Sequence, residues 1–255
     1  MTTMEYTGGP FDLGRVMQKT FEAISRNWLV FLAASVLLVG LPSMLSGFGQ
    51  ISNTVDDPLA GLPIVLVGSV LTILGSFVLQ GMVVFAAVTG FNGRSVDLGN
   101  ALSTGLRFFF PLLGLAILMW LGLMLGFMLF FVPGVILAVM WIVASPALVV
   151  ENRGILDSFQ RSRDLTRGNR WMIFALVVVY GVVSMMINWI VVGVGTAAGG
   201  SFVTAGAFWG VALVLTPLVS VLSGVVSSAG VAAVYYELRR SKEGVSPEQL
   251  ASVFD

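Results

Sequence analysis

Side chains able to do chemistry are scarce in this chain. Its 255 residues include no Cys and no His. That removes thiol chemistry, disulfides, iron–sulfur ligation, the commonest general base and the usual zinc and haem ligand. What remains is a set of carboxylates and arginines at the ends of apolar runs. Glu151 is followed by Arg161, Arg163, Arg167 and Arg170, and Glu237 by Arg239 and Arg240. Such groups suit structural ion pairs or phosphate headgroups better than acid–base catalysis, because no carboxylate pair falls in the middle of a run. A Walker-type phosphate loop is absent. Inside the runs the strongest polar side chains are Gln80 and Asn188. Each could line a pathway or make one interhelical hydrogen bond. No catalytic residue, metal site or cofactor is expected.

The elements that position these residues follow from composition. Hydrophobic residues make up 57% of the chain and charged residues 10%, against about 25% charged in a soluble domain. So apolar a surface needs lipid as its solvent. Lys+Arg and Asp+Glu are each 13, and this neutrality argues against a nucleic-acid partner. Residues 1–26 are polar and charged, and the first apolar run is long enough to span, unlike a signal peptide.

A helix crossing a bilayer needs about 20 apolar residues. Uncharged stretches predict six spans, near 28–48, 63–90, 108–130, 133–150, 171–194 and 207–236. Phe131-Val132-Pro133-Gly134 supplies a turn between the third and fourth, and Thr196–Gly206 a loop between the fifth and sixth. With six spans the basic residues around Arg15, Arg94, Arg107, Arg153 to Arg170 and Arg239 to Lys242 all fall on one side. The opposite loops hold Asp56 and Asp57 and no Lys or Arg. The positive-inside rule makes the basic side cytoplasmic, with both termini. Trp28, Trp171, Tyr235 and Tyr236 sit at span ends on that side, as interfacial anchors do.

The chain repeats. Phe11-Asp12-Leu13-Gly14 precedes the first span, Val96-Asp97-Leu98-Gly99 the third and Gly154-Ile155-Leu156-Asp157 the fifth. The fold expected is therefore an all-α membrane protein of three transmembrane hairpins, each introduced by a short amphipathic interfacial helix. It forms a single transmembrane domain over 1–244, with repeat units 11–93, 94–150 and 151–240 and a short cytoplasmic tail, 245–255. Leu13, Val16, Met17, Phe21, Ile24 and Trp28 give the first helix an apolar stripe, and Leu98, Ala101, Leu102, Leu106 and Phe109 give the second another. Asp12 and Ser95 are the expected N-caps. In the third helix the stripe of Leu156 and Phe159 continues to Arg163. An arginine there points toward the membrane or the bundle and calls for Glu151, Glu237 or a lipid phosphate, or it snorkels into headgroups. Pro42, Pro146 and Pro217 interrupt spans, while Gly122 with Gly126, and Ser220, Gly224 and Ser228, form small-residue stripes suited to close packing.

One stretch has a family likeness. Pro133-Gly134, Pro146, Glu151, Ser158, Arg161-Ser162 and Leu165-Thr166-Arg167-Gly168-Asn169-Arg170-Trp171, with Tyr235-Tyr236-Glu237-Leu238-Arg239-Arg240 and Lys242-Glu243-Gly244, are the relevant residues. This pattern resembles the membrane domain attached to some glycerophosphodiester phosphodiesterases, and small stand-alone bacterial proteins related to it. The resemblance implies a membrane topology rather than a reaction, since the phosphodiesterase chemistry belongs to a separate soluble domain.

The function expected is a non-catalytic integral protein of the bacterial inner membrane. It would organise lipid or scaffold partner proteins, with anionic headgroups at the cytoplasmic face, and a homo-oligomer or membrane partner protein as further company. The alternative is a small transporter or channel for a lipid-like or hydrophobic solute, motivated by the hairpin repeat, the prolines, Gln80 and Asn188. An intramembrane enzyme is the least supported class.

Overall fold

The computed structural model describes residues 11–52, 57, 59–91, 96–198 and 205–244. The tail 245–255, Asp56, Ser95 and part of the Thr196–Gly206 loop lie outside the described residues. All regular structure among the described residues is helical: α1 (Leu13–Arg26), α2 (Trp28–Ser35), α3 (Leu41–Ile51), α4 (Leu62–Phe91), α5 (Leu98–Arg107), α6 (Phe109–Leu129), α7 (Phe131–Trp141), α8 (Ala144–Glu151), α9 (Ile155–Thr166), α10 (Arg170–Ala198) and α11 (Ala205–Glu243). Six stretches are long and apolar enough to cross a membrane: Trp28–Gln50, Leu62–Phe91, Phe109–Leu129, Phe131–Glu151, Arg170–Ile190 and Leu213–Glu243. In several of them most of the apolar side chains are not spent on an interior. In the fifth stretch only 6% of the most apolar window is buried, a surface that water would not tolerate and lipid would.

The proline positions explain the interruptions. Pro42 has no N–H to give the carbonyl four residues back, and a π-helical turn, Val36–Gly40, joins α2 to α3 just before it. Pro146 lies in the first turn of α8, where its ring would clash with the carbonyl of Ile142 in a continuous helix. The fourth stretch therefore breaks between Trp141 and Ala144. Pro217 is buried within a continuous α11.

The Asp-Leu-Gly repeats are helix starts. Asp12 Oδ1 accepts the N–H of Gly14 at 2.7 Å, and Asp97 Oδ2 accepts that of Gly99 at 3.0 Å. A Cβ on Gly99 would lie 2.9 Å from that carboxylate, so glycine leaves room for the cap. Asp97 caps α5, the role expected of Ser95. The expected apolar stripes divide in two. Val16 and Ala23 of α1, and Ala101 and Gly105 of α5, are buried. Met17, Phe21 and Trp28, and Leu98, Leu102 and Leu106, face outward at helical spacing. Small residues make the protein contact, and the large ones are left for another solvent.

The chain forms two compact units. One holds residues 29–79 and 178–225. In it α4 lies directly on the preceding helices through glycine: a Cβ on Gly75 would collide with the carbonyl of Leu38, and one on Gly68 with the backbone of Ser46. Ser43 and Val39 are buried in the same unit, and a Cβ on Gly40 would lie 3.2 Å from Val221.

The other unit holds residues 1–28, 80–177 and 226–255. Its centre is α8, in which every residue from Ala144 to Val150 is buried. Gly122 packs on the ring of Trp141, and Gly126 on Gly134, so the small-residue pair of α6 serves contact with α7 within the chain. Asn152, in the left-handed region at φ 49°, ends α8. The chain then doubles back: Ser162 Oγ of α9 donates to the carbonyl of Met140 at 2.7 Å, and the ring of Phe159 packs tilted against Trp141 at 4.8 Å. The third amphipathic helix is thus packed along the stretch that precedes it.

The backbone contact at Gly75 yields a test. Gly75→Ala should lower the thermal stability of the detergent-purified protein by about 1–3 kcal/mol, the usual cost of overpacking. Gly181→Ala adds a Cβ that meets nothing within 4 Å and should be neutral or mildly stabilising.

Candidate functional site

The charged residues sort into two classes, those consumed by the fold and those left over. Glu151 closes α8 beside the buried surface. Arg161 Nε donates to both of its oxygens, at 2.8 and 3.0 Å. The hydroxyl of Tyr235, from α11, donates to Oε1 at 2.7 Å, and Arg153 completes the shell. Arg161 also pairs with Glu243, which Arg239 holds from one turn below at 2.8 Å. Burial opposes the charge on Arg161, and its hydrogen bonds to Glu151 and Glu243 more than reverse that, so its pKa is raised. Lys242 donates to the carbonyl of Asp164, fastening α9 to the end of α11 a second time.

Glu237 is the second centre. Its side chain is only 2% exposed, and Arg15 of α1 reaches it with Nε at 2.9 Å and a terminal nitrogen at 2.7 Å. Hydrogen bonding to Glu237 raises the pKa of Arg15. One turn on, the ammonium of Lys19 lies 5.3 Å from the ring centre of Phe91 and 5.8 Å from that of Tyr236. Arg26 donates to the carbonyl of Gly90 at 2.7 Å. The polar side of α1 therefore grips the ends of α4 and α11.

Of the alternatives for Arg163, this geometry removes the two carboxylates. Arg161 takes Glu151, Arg15 takes Glu237, and Arg163 is exposed on the opposite side of α9. Leu156, 73% exposed, lies with Arg163 on the outward side, while Phe159 between them packs against Trp141. The inward face is Ser158, Ser162, Leu165 and Thr166. Apolar periodicity misses a buried face made of hydroxyls. Ser158, Ser162 and Thr166 at four-residue spacing were the available signal, because each bonds a backbone carbonyl and so can be buried.

Arg163 and Arg167 remain exposed and make no side-chain bond or ion pair among the described residues. Arg170 is different again. Its Nε is shut off from solvent without an acceptor. It lies at a groove of about 460 Å³ lined by α7 from Phe131 to Val139 and by Trp171 and Phe174 of α10. Gln80 donates to Ser145 Oγ at 3.2 Å, the interhelical bond that a lone amide in an apolar run commonly makes. Asn188 is exposed in the other unit, beside Ser184 and Trp189. No group of three or more Asp or Glu able to hold a metal ion occurs among the described residues.

Helices of this length and apolarity, with their charges collected at helix ends, define a multi-pass α-helical membrane protein. Residues 53–204 match the model of a family described as Uncharacterised protein family (UPF0259), and the chain belongs to that family. No curated protein and no solved structure matches the chain.

The division of the arginines is testable by denaturation in detergent. Glu151→Gln removes the charge facing the mostly buried Arg161 and should cost about 2–3 kcal/mol. Tyr235→Phe should cost about 1–2 kcal/mol, and Arg163→Gln nothing measurable. An equal loss from Arg163→Gln would overturn the assignment.

Proposed function

We propose that the protein is a non-catalytic component of the bacterial cytoplasmic membrane that gathers anionic lipid at its cytoplasmic face and so organises lipid or a partner protein around it. The observation that carries this reading is the state of Arg163 and Arg167. In a chain whose other arginines include Arg15, Arg153, Arg161 and Arg239 in ion pairs, these two are exposed and unpaired among the described residues. An exposed basic residue beside an apolar surface attracts anionic headgroups by about 1 kcal/mol. The outward apolar residues Met17, Phe21, Leu102 and Leu106 fit helices that rest in the same headgroup layer. The resemblance to the membrane domain of glycerophosphodiester phosphodiesterases agrees with a membrane-embedded role that needs no catalytic group of its own.

Two measurements test the reading. Protein reconstituted in phosphatidylcholine containing a minor fraction of phosphatidylglycerol should retain phosphatidylglycerol on extraction, and Arg163→Gln/Arg167→Gln should lower that enrichment severalfold. Enrichment that is unchanged in the double variant and insensitive to salt would remove the proposal. Orientation can be read cleanly because the chain has no Cys. A membrane-impermeant maleimide should label Gln160→Cys only from the cytoplasmic side and Ala60→Cys only from the other.

A further inference from the structure

Arg170 has no place in the ion-pair network, yet part of it is buried. Its Nε–H meets neither solvent nor an acceptor. Native proteins leave few such donors unpaired, and a charged one least of all. Around it the groove wall is apolar: Val132, Val135 and Val139 of α7, with Phe174 opposite. Its volume of about 460 Å³ lies in the range of small-ligand sites. Trp171 stands at the rim, 84% exposed.

We propose that this groove is a lipid site, in which the α7 wall holds one acyl chain of an anionic phospholipid and Arg170 receives an oxygen of its phosphate. The proposal rests on the membrane reading above and gives the headgroup belt a defined place of attachment. Each half of the groove excludes a simpler ligand. A free anion would lose hydration against Val and Phe and gain nothing from them. An acyl chain alone would leave the Arg170 guanidinium without an anion. The headgroup meets further positive charge, because Lys242 lies within electrostatic range of both Arg167 and Arg170. A choline headgroup would bring its own cation against these residues, whereas phosphatidylglycerol carries only the phosphate charge. The doubling back of α9 makes the site: it delivers Arg170 alongside α7, where an arginine beside an apolar wall calls for an anion.

The test uses the full chain in phosphatidylcholine nanodiscs doped with a phosphatidylglycerol that carries a photoactivatable diazirine in its acyl chain. Labelling should saturate at one lipid per chain and map to 131–139 and 170–174. Arg170→Gln should reduce it about tenfold, the effect of losing one charge-assisted bond. Val135→Trp, which fills the groove with Arg170 intact, should reduce it as strongly. Equal labelling by the matched phosphatidylcholine probe, or labelling unchanged in Arg170→Gln, would overturn the site. The Arg163→Gln/Arg167→Gln variant separates the two proposals. If it lowers bulk phosphatidylglycerol enrichment while Arg170→Gln leaves the labelling intact, the belt stands and the groove falls. If it changes nothing while Arg170→Gln abolishes labelling, the groove stands and the belt falls.

Discussion

Two buried carboxylates set the terms for one half of this molecule. Glu237 is 2% exposed and Glu151 9% exposed. A carboxylate removed from water to that degree must be paired and hydrogen-bonded or be neutralised. The partners come from elements far away in sequence: Arg15 from α1, Arg161 from α9 and Tyr235 from α11. Each pair therefore fixes the position of a helix as well as a charge. Remove Glu237 and α1 loses what orients its polar side. Remove Glu151 and α9 loses its ion pair to α8, keeping Arg161–Glu243 and Lys242–Asp164 to α11.

That constraint explains why α9 looks unlike α1 and α5. In those two the large apolar residues point away from the protein, and Ala, Gly or Val makes the contact. In α9 the inward face includes Ser158, Ser162 and Thr166, with Ser162 bonded across to the carbonyl of Met140, and the outward side carries Arg163 and Arg167. The same repeat position has been put to a different use. Two copies offer apolar surface, and the third offers positive charge. The fold thus concentrates its uncommitted cations where α9 meets α10, next to an apolar groove that Arg170 lines.

Much of the frame was legible from side-chain types. The apolar runs predicted six spans, and five of the long apolar helices fall within a few residues of them, the sixth running to Glu243 rather than Tyr236. Asp12 was read correctly as a cap, and the Gly122–Gly126 pair as a packing face. The break before Pro146 follows from its ring and missing N–H. The site was less legible. Leu156 and Arg163 share a stripe, and an apolar residue suggests an inward face, but in lipid the outward face is the apolar one. The stripe is split: Leu156 and Arg163 face outward, while Phe159 packs against Trp141.

The sequence by itself determined that this chain needs lipid, how many helices could cross it and which helix ends carry charge. These properties depend on composition along a segment, and a segment carries its own hydrophobicity wherever it sits. Only the tertiary structure decided which arginine is spent and which is left. Pairing depends on the distance between atoms from separate helices, such as Arg161 and Tyr235 meeting at Glu151. Adjacent arginines on one helix point in different directions, and two residues of spacing separate Arg161 in the network from Arg163 outside it.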